Sequence, residues 1–129
     1  MARKSHAELS RRERQIMDII YRRGEASVAQ VLEDLPDTPT YSTVRTLLRI
    51  LEEKGHLKHA KDGPRYVYRP TRPRSQAARS ALKRLLETFF DGSAEKAVTA
   101  LLDVSDANLT PDELQRLAKL IEKARKEGD

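Results

Sequence analysis

Residues 38–70 read "TPTYSTVRTLLRILEEKGHLKHAKDGPRYVYRP", and two periods meet inside them. In the first part Val44, Leu47, Leu48 and Leu51 recur at helical spacing, behind a threonine, Thr40, whose hydroxyl can cap a helix start. Gly55 supplies the stop. Beyond it the period falls to two: "LKHA" and "RYVYRP" flank "KDGP", and Tyr66 and Tyr68 alternate with Arg65, Val67 and Arg69. This predicts a β-hairpin with Asp62-Gly63 in its turn.

Two more helices precede this stretch. Ser10 with Glu13, and Ser27 with Gln30, each have the spacing of a capping box, in which a hydroxyl accepts from an orphan amide while the longer side chain reaches back. Ile16, Met17, Ile19 and Ile20 form the apolar stripe of a helix over 11–23 that Gly24 stops. Val28, Val31, Leu32 and Leu35 pattern a short second helix halted by Pro36. Three helices, the middle ones tightly joined, followed by a hairpin is the order of a winged helix-turn-helix.

Downstream, "PTRPRS" with Pro70 and Pro73 predicts a boundary, giving domains of 1–72 and 73–129. Three further helical stripes follow. Ser75 precedes Ala78, Leu82, Leu85, Leu86 and Phe89, and Ser93 precedes Ala97, Val98, Leu101 and Leu102. Thr110-Pro111-Asp112-Glu113, a capping box with proline at the first helical position, precedes Leu114, Leu117, Ala118 and Ile121. The expected fold is mainly α with a small β-hairpin wing: a winged helix-turn-helix domain plus a three-helix C-terminal region, with low-complexity tails of six or seven residues at the start and about five at the end.

The chain has 129 residues, 25 Lys and Arg against 20 Asp and Glu, and net charge +5. Residues 1–75 hold 16 basic and 10 acidic side chains, net +6, against 9 and 10, net −1, in residues 76–129. The cationic excess lies wholly in the first part, which suits an acidic partner there. With no cysteine, disulfides, thiolate metal sites and a Cys nucleophile are excluded. No apolar run approaches the roughly 20 residues of a membrane span, and "MARKSHAELS" lacks an apolar signal core, which predicts a cytoplasmic protein without membrane insertion. A module of this size has a small core, so self-association is expected from the outset.

On a wheel of about 100° per residue, the side of the third helix opposite Val44, Leu47, Leu48 and Leu51 presents Ser42, Thr46, Arg49 and Glu53, flanked by Thr43 and Arg45. Ser42 and Thr43 can bind phosphate oxygens, and Arg45 and Thr46 are types that meet base edges or a thymine methyl. Backbone amides at the helix start add an anion site. Any exposed helix face is polar, but this one follows a short helix and precedes a hairpin bearing Lys58, Lys61, Arg65 and Arg69. Such a wing places cations beside a DNA backbone, Arg65 and Lys61 first because they lie nearest the turn. Tyr66 and Tyr68 are expected to pack the hairpin on the helices rather than to stack on bases. Tyr41 stands between two roles, closing the core or leaning on a phosphate.

No enzyme constellation emerges. His56 and His59, read as strand residues three apart, face opposite sides and do not share a zinc. There is no Gly-rich phosphate loop and no nucleophile elbow. No cofactor is implied. The alternative to DNA binding is a winged-helix protein-interaction module, against which the +6 of the first 75 residues argues.

"SRRERQIMDIIYRRGEASVAQVLEDL", "YSTVRTLLRILEEKGHLKH" and "NLTPDELQRLAKLI" together resemble the BlaI/MecI family of penicillinase-type transcriptional repressors, over residues 8–127. The resemblance implies a homodimer, each chain binding half of a palindromic operator in double-stranded DNA. It implies operator contacts from Thr40, Thr43, Arg45 and Thr46, with the wing from Lys61 to Arg65 beside the phosphates. Together with the helix wheel, the expected DNA-binding set is Thr40, Tyr41, Ser42, Thr43, Arg45, Thr46, Arg49, Lys61 and Arg65. The expected dimer interface is Leu82, Leu85, Phe89, Phe90, Val98, Leu101, Leu114, Leu117 and Ile121, more apolar surface than three short helices can bury alone. A membrane sensor protease is the partner that inactivates relatives controlling β-lactam resistance, by cleavage at an Asn-Phe bond in the best-known cases. "TALLDVSDANL", residues 99–109, lacks that pair, and without cysteine the metal-binding pattern of copper-responsive relatives is also absent.

Overall fold

The structure, a computed structural model, describes residues 9–104 and 108–128. It divides into two compact units, Met1–Ala81 and Leu82–Asp129.

In the first unit α1 (Arg11–Arg23) starts at a complete capping box: Ser10 Oγ accepts from the Glu13 amide at 3.1 Å, and the Glu13 carboxylate accepts from the Ser10 amide at 2.8 Å. Gly24 ends it at φ +90°, its amide donating to the Ile20 carbonyl. A second complete box, Ser27 with Gln30, opens α2 (Val28–Asp34). Thr40 caps α3 (Tyr41–Glu53) through the Thr43 amide. The apolar stripes converge: Ile16, Ile20, Val31, Val44, Leu48 and Leu51 have no exposed surface, and Leu9, Tyr21, Leu32 and Leu47 pack around them. Each such aliphatic side chain contributes about 1.5–3 kcal/mol by leaving water.

The hairpin is β2 (Leu57–Asp62) and β3 (Arg65–Pro70), antiparallel, with Asp62 opposite Arg65. Its turn is therefore Gly63-Pro64, one residue beyond the expected Asp62-Gly63. Gly63 has φ +66°, and proline cannot adopt positive φ, so the glycine must take the first central position of this two-residue turn. A strand the sequence did not announce, β1 (Ala26–Ser27), pairs antiparallel with β3, Ala26 opposite Tyr68 and Ser27 opposite Val67. The sheet order is β1-β3-β2. Because β3 is central, Val67 and Tyr68 are both buried and the expected alternation is incomplete. Tyr68 joins the core at 4% exposure, whereas Tyr66, expected to pack beside it, is 41% exposed. His56 is also displaced from expectation: it is buried in the turn between α3 and β2 rather than in a strand.

α4 (Arg74–Phe89) begins directly after Pro73, whose carbonyl accepts from the Ala77 amide at 3.1 Å, so Ser75 lies inside the helix rather than capping it. The boundary between the two compact units falls within α4. In the second unit α5 (Ala94–Asp103) is capped by Ser93. α6 (Pro111–Gly128) starts at the expected box, Thr110 with Glu113. α6 continues to Gly128, so the residues expected to form a C-terminal tail are helical up to that point, while the expected N-terminal tail lies outside the described residues. α4, α5 and α6 contain no buried residue.

Candidate nucleic-acid interface

Burial of Val44, Leu48 and Leu51 fixes the rotation of α3, and the same rotation exposes Tyr41, Ser42, Thr43, Arg45, Thr46 and Arg49. Two concavities lie between this arc and the wing. One, of about 350 Å³, is lined by Ser42, Arg45, Thr46, Arg49 and Glu52 from α3 and by His59, Tyr66 and Tyr68 from the hairpin. The other, of about 320 Å³ and nearer the hairpin turn, gathers Tyr41, Arg45, Lys61, Arg65 and Tyr66. Seven of the nine expected binding residues thus share one continuous face, with Arg45, Tyr66 and Tyr68 common to both hollows. Tyr41, more than half exposed, closes no core; it faces the wing.

The other two, Thr40 and Thr43, are engaged with each other. Thr40 Oγ1 lies 2.8 Å from Thr43 Oγ1 and accepts from the Thr43 amide at 3.1 Å. Thr40 thereby holds the helix start in place.

The cations of this face differ in how far they are already committed. Arg49 binds Glu53 at 3.0 Å, Arg65 binds Asp62 at 3.0 Å, and Arg69 binds Glu25 at 2.8 Å. Arg45 and Lys61 take part in no ion pair among the described residues. An anion approaching this face would meet those two without displacing an internal carboxylate. Strand alternation adds a further distinction: Lys61 lies opposite Tyr66 and His59 opposite Tyr68, on the face toward α3, whereas Lys58 and Arg69 are paired on the other face.

Glu52 and His59 were not among the expected site residues. His59 Nδ1 lies 2.8 Å from both carboxylate oxygens of Glu52, which separates it from buried His56 and gives it a partner other than a metal. Tyr68, beside them, has its phenol pushed above the ordinary value, first by burial and then by the Glu52 charge, with Arg45 opposing.

In the second unit Leu82, Leu85, Phe89, Val98, Leu101, Leu114, Leu117 and Ile121 are exposed, Phe89 at 72% and Ile121 at 61%, while Phe90 is half-buried. Leu102, Val104 and Leu120, which the expected interface omitted, are exposed as well.

Comparison with known proteins follows the same span. The chain is 27% identical over 117 residues to the penicillinase repressor of Bacillus licheniformis, covering 89% of this chain and 90% of that one. It is 25% identical over 118 residues to the methicillin resistance regulatory protein MecI of Staphylococcus aureus, covering 90% and 94%. Among solved structures it is similar to the solution structure of the DNA-binding domain of the repressor BlaI, at 30% identity and TM-score 0.48, over 54% of this chain and 87% of that one. The sequence model of the penicillinase repressor family matches residues 9–123, and the chain belongs to this family of transcriptional repressors, the BlaI/MecI family.

Proposed function

We propose that the protein acts as a dimeric repressor that binds a palindromic operator in double-stranded DNA. Placement of Arg45 and Lys61, uncommitted cations on the two walls of one concave face, carries this reading. In operation the arc of α3 enters the major groove, where Arg45 and Thr46 meet base edges and Ser42 meets phosphate. Lys61, and Arg65 once it leaves Asp62, lie along the backbone and release counterions. A twofold pair of such faces reads two half-sites about one helical turn apart, and occupancy blocks the promoter.

Dimerisation is supported by the second unit. Among the described residues, eleven large apolar side chains from Leu82 to Ile121 are exposed in the single chain, and no residue of α4, α5 or α6 is buried. Exposed apolar surface on that scale marks an association site. Among the described residues no helix is long and apolar enough to cross a membrane. Release by a membrane sensor protease would require a cleavage site other than Asn-Phe within 99–109; residues 105–107 of that segment lie outside those described.

The test is selection from a random-sequence duplex pool with the full chain, together with sedimentation of the free protein. The expected product is an enriched inverted repeat bound by two chains. A pool from which nothing is enriched would defeat the reading and leave the protein-interaction alternative.

A further inference from the structure

His59 ties the wing to the helix beside it. Its Nδ1 is 2.8 Å from each carboxylate oxygen of Glu52, near the end of α3. An ionised carboxylate only accepts, so Nδ1 carries the hydrogen and donates. The ring also lies flat on Tyr66 of β3, centroids 4.2 Å apart and planes 17° from parallel. Tyr66 in turn meets Tyr68 edge-on at 6.5 Å, and Tyr68 is part of the core.

Apart from the backbone ladder to β3, this part of the wing has few anchors. β2 is an edge strand, and only Leu57, at its start, is buried. From Lys58 onward the strand has no core anchor of its own, and the Glu52–His59 contact is the one side-chain hydrogen bond between α3 and the hairpin strands among the described residues. Lys61 follows two residues later on the same face of β2. His59 is therefore the side-chain link through which α3 bears on the position of Lys61.

We propose that His59 is a positioning residue for operator recognition: bound to Glu52 and stacked on Tyr66, it fixes the wing against α3 so that Arg45 and Lys61 engage one duplex together. The inference rests on the DNA-binding reading. Misplacement of one set of contacts by about an ångström weakens specific binding, which needs both sets in register, more than non-specific binding, which needs only charge.

A double-mutant cycle tests it, using the duplex that the wild-type chain enriches from a random pool and a scrambled duplex of equal length. His59→Ala and Glu52→Ala should each lower the ratio of enriched to scrambled affinity about tenfold, the size of one hydrogen bond to a charged group. The double variant should lose no more than either single. His59→Asn, whose amide can replace Nδ1 as a donor, should recover part of the ratio. Glu52→Ala trims only a half-buried side chain of α3 and leaves the hairpin sequence intact, so its result stands even if His59→Ala loosens the hairpin. An unchanged ratio in Glu52→Ala with a loss in His59→Ala would mean that the histidine touches DNA directly, and would overturn the proposal. So would multiplicative losses in the double variant. Failure of the wild-type chain to enrich any duplex is a separate result, which removes the DNA-binding reading and this proposal with it.

Discussion

Lys54 Nζ donates to both oxygens of the Glu13 carboxylate, at 2.9 and 3.1 Å, and so joins the end of α3 to the first turn of α1. Glu13 is 4% exposed and also accepts from the Ser10 amide, so one carboxylate both caps a helix and bridges two. Replacing it with glutamine preserves the cap and removes the negative charge that faces the Lys54 ammonium. Glu13→Gln should lower the unfolding free energy by about 2 kcal/mol, and Glu13→Ala by more because the cap is lost as well. Urea denaturation followed by circular dichroism measures both.

Acid should erode the same contact. Burial works to raise the Glu13 carboxyl, but the Lys54 hydrogen bonds, the Ser10 amide and the Lys54 charge outweigh it, and the pKa is lowered. Hydrogen bonds from Arg12 lower Asp37, and those from Arg23 lower Asp34. Carboxyls with lowered folded-state pKa contribute stability that is fully present above their unfolded values and is lost as pH falls through the folded ones. The melting temperature should stay nearly flat from pH 7 to about 5 and fall below about 4, with a shallower acid limb in Glu13→Gln.

At the hairpin turn Gly63 has φ +66° and open space where a Cβ would stand. A substitution there meets backbone strain without steric clash. Gly63→Ala should cost about 1 kcal/mol, and Gly63→Asn less, because asparagine tolerates positive φ. Thermal denaturation of the two variants gives the comparison.

Two cations of the interface should separate by assay. Arg45→Ala is expected to lose about 1–3 kcal/mol on the enriched duplex and little on a scrambled one, whereas Lys61→Ala should weaken both similarly and reduce the salt slope by about one. Arg65→Ala should show a smaller effect than Lys61→Ala, since its guanidinium is already bound to Asp62 at 3.0 and 3.3 Å. Titrations at several salt concentrations resolve all three. Equal losses on both duplexes for Arg45→Ala would remove its base-reading role.

Phe89 and Ile121, among the most exposed apolar side chains of the second unit, test self-association. Phe89→Glu should shift sedimentation from dimer toward monomer, and the wild-type melting temperature should rise with protein concentration. A melting temperature independent of concentration would contradict an assembly in which the apolar surface is covered by a second copy.

Helix starts were legible in the sequence because their signals are local: serine or threonine three residues ahead of Glu13, Gln30 and Glu113 has one efficient use, and each box closes in the structure. Rotation of α3 was equally legible, since Val44, Leu48 and Leu51 can meet the core from only one side. Other features depended on distant partners. β1 is two residues long, too short to show alternation, and exists because β3 offers a free edge. Tyr66 and Tyr68 look equivalent in the alternating pattern, yet only the second reaches the core. Glu52 and His59 lie in different elements seven positions apart, so neither helical nor strand periodicity links them, and His59 passed for an ordinary strand residue. Commitment of Arg49 and Arg65 to neighbouring carboxylates, which ranks the cations of the face, likewise emerged only from geometry.

Ser27 occupies two structural roles at once, facing Val67 across the sheet and capping α2. A single residue inserted between Ala26 and Val28 would put either the strand partner or the cap out of step, because neighbouring strand positions point to opposite faces. Length variation among relatives should accordingly be scarce at this corner and more common at the hairpin tip, so that a gap in a comparison of sequences becomes a gauge of which turns carry the fold.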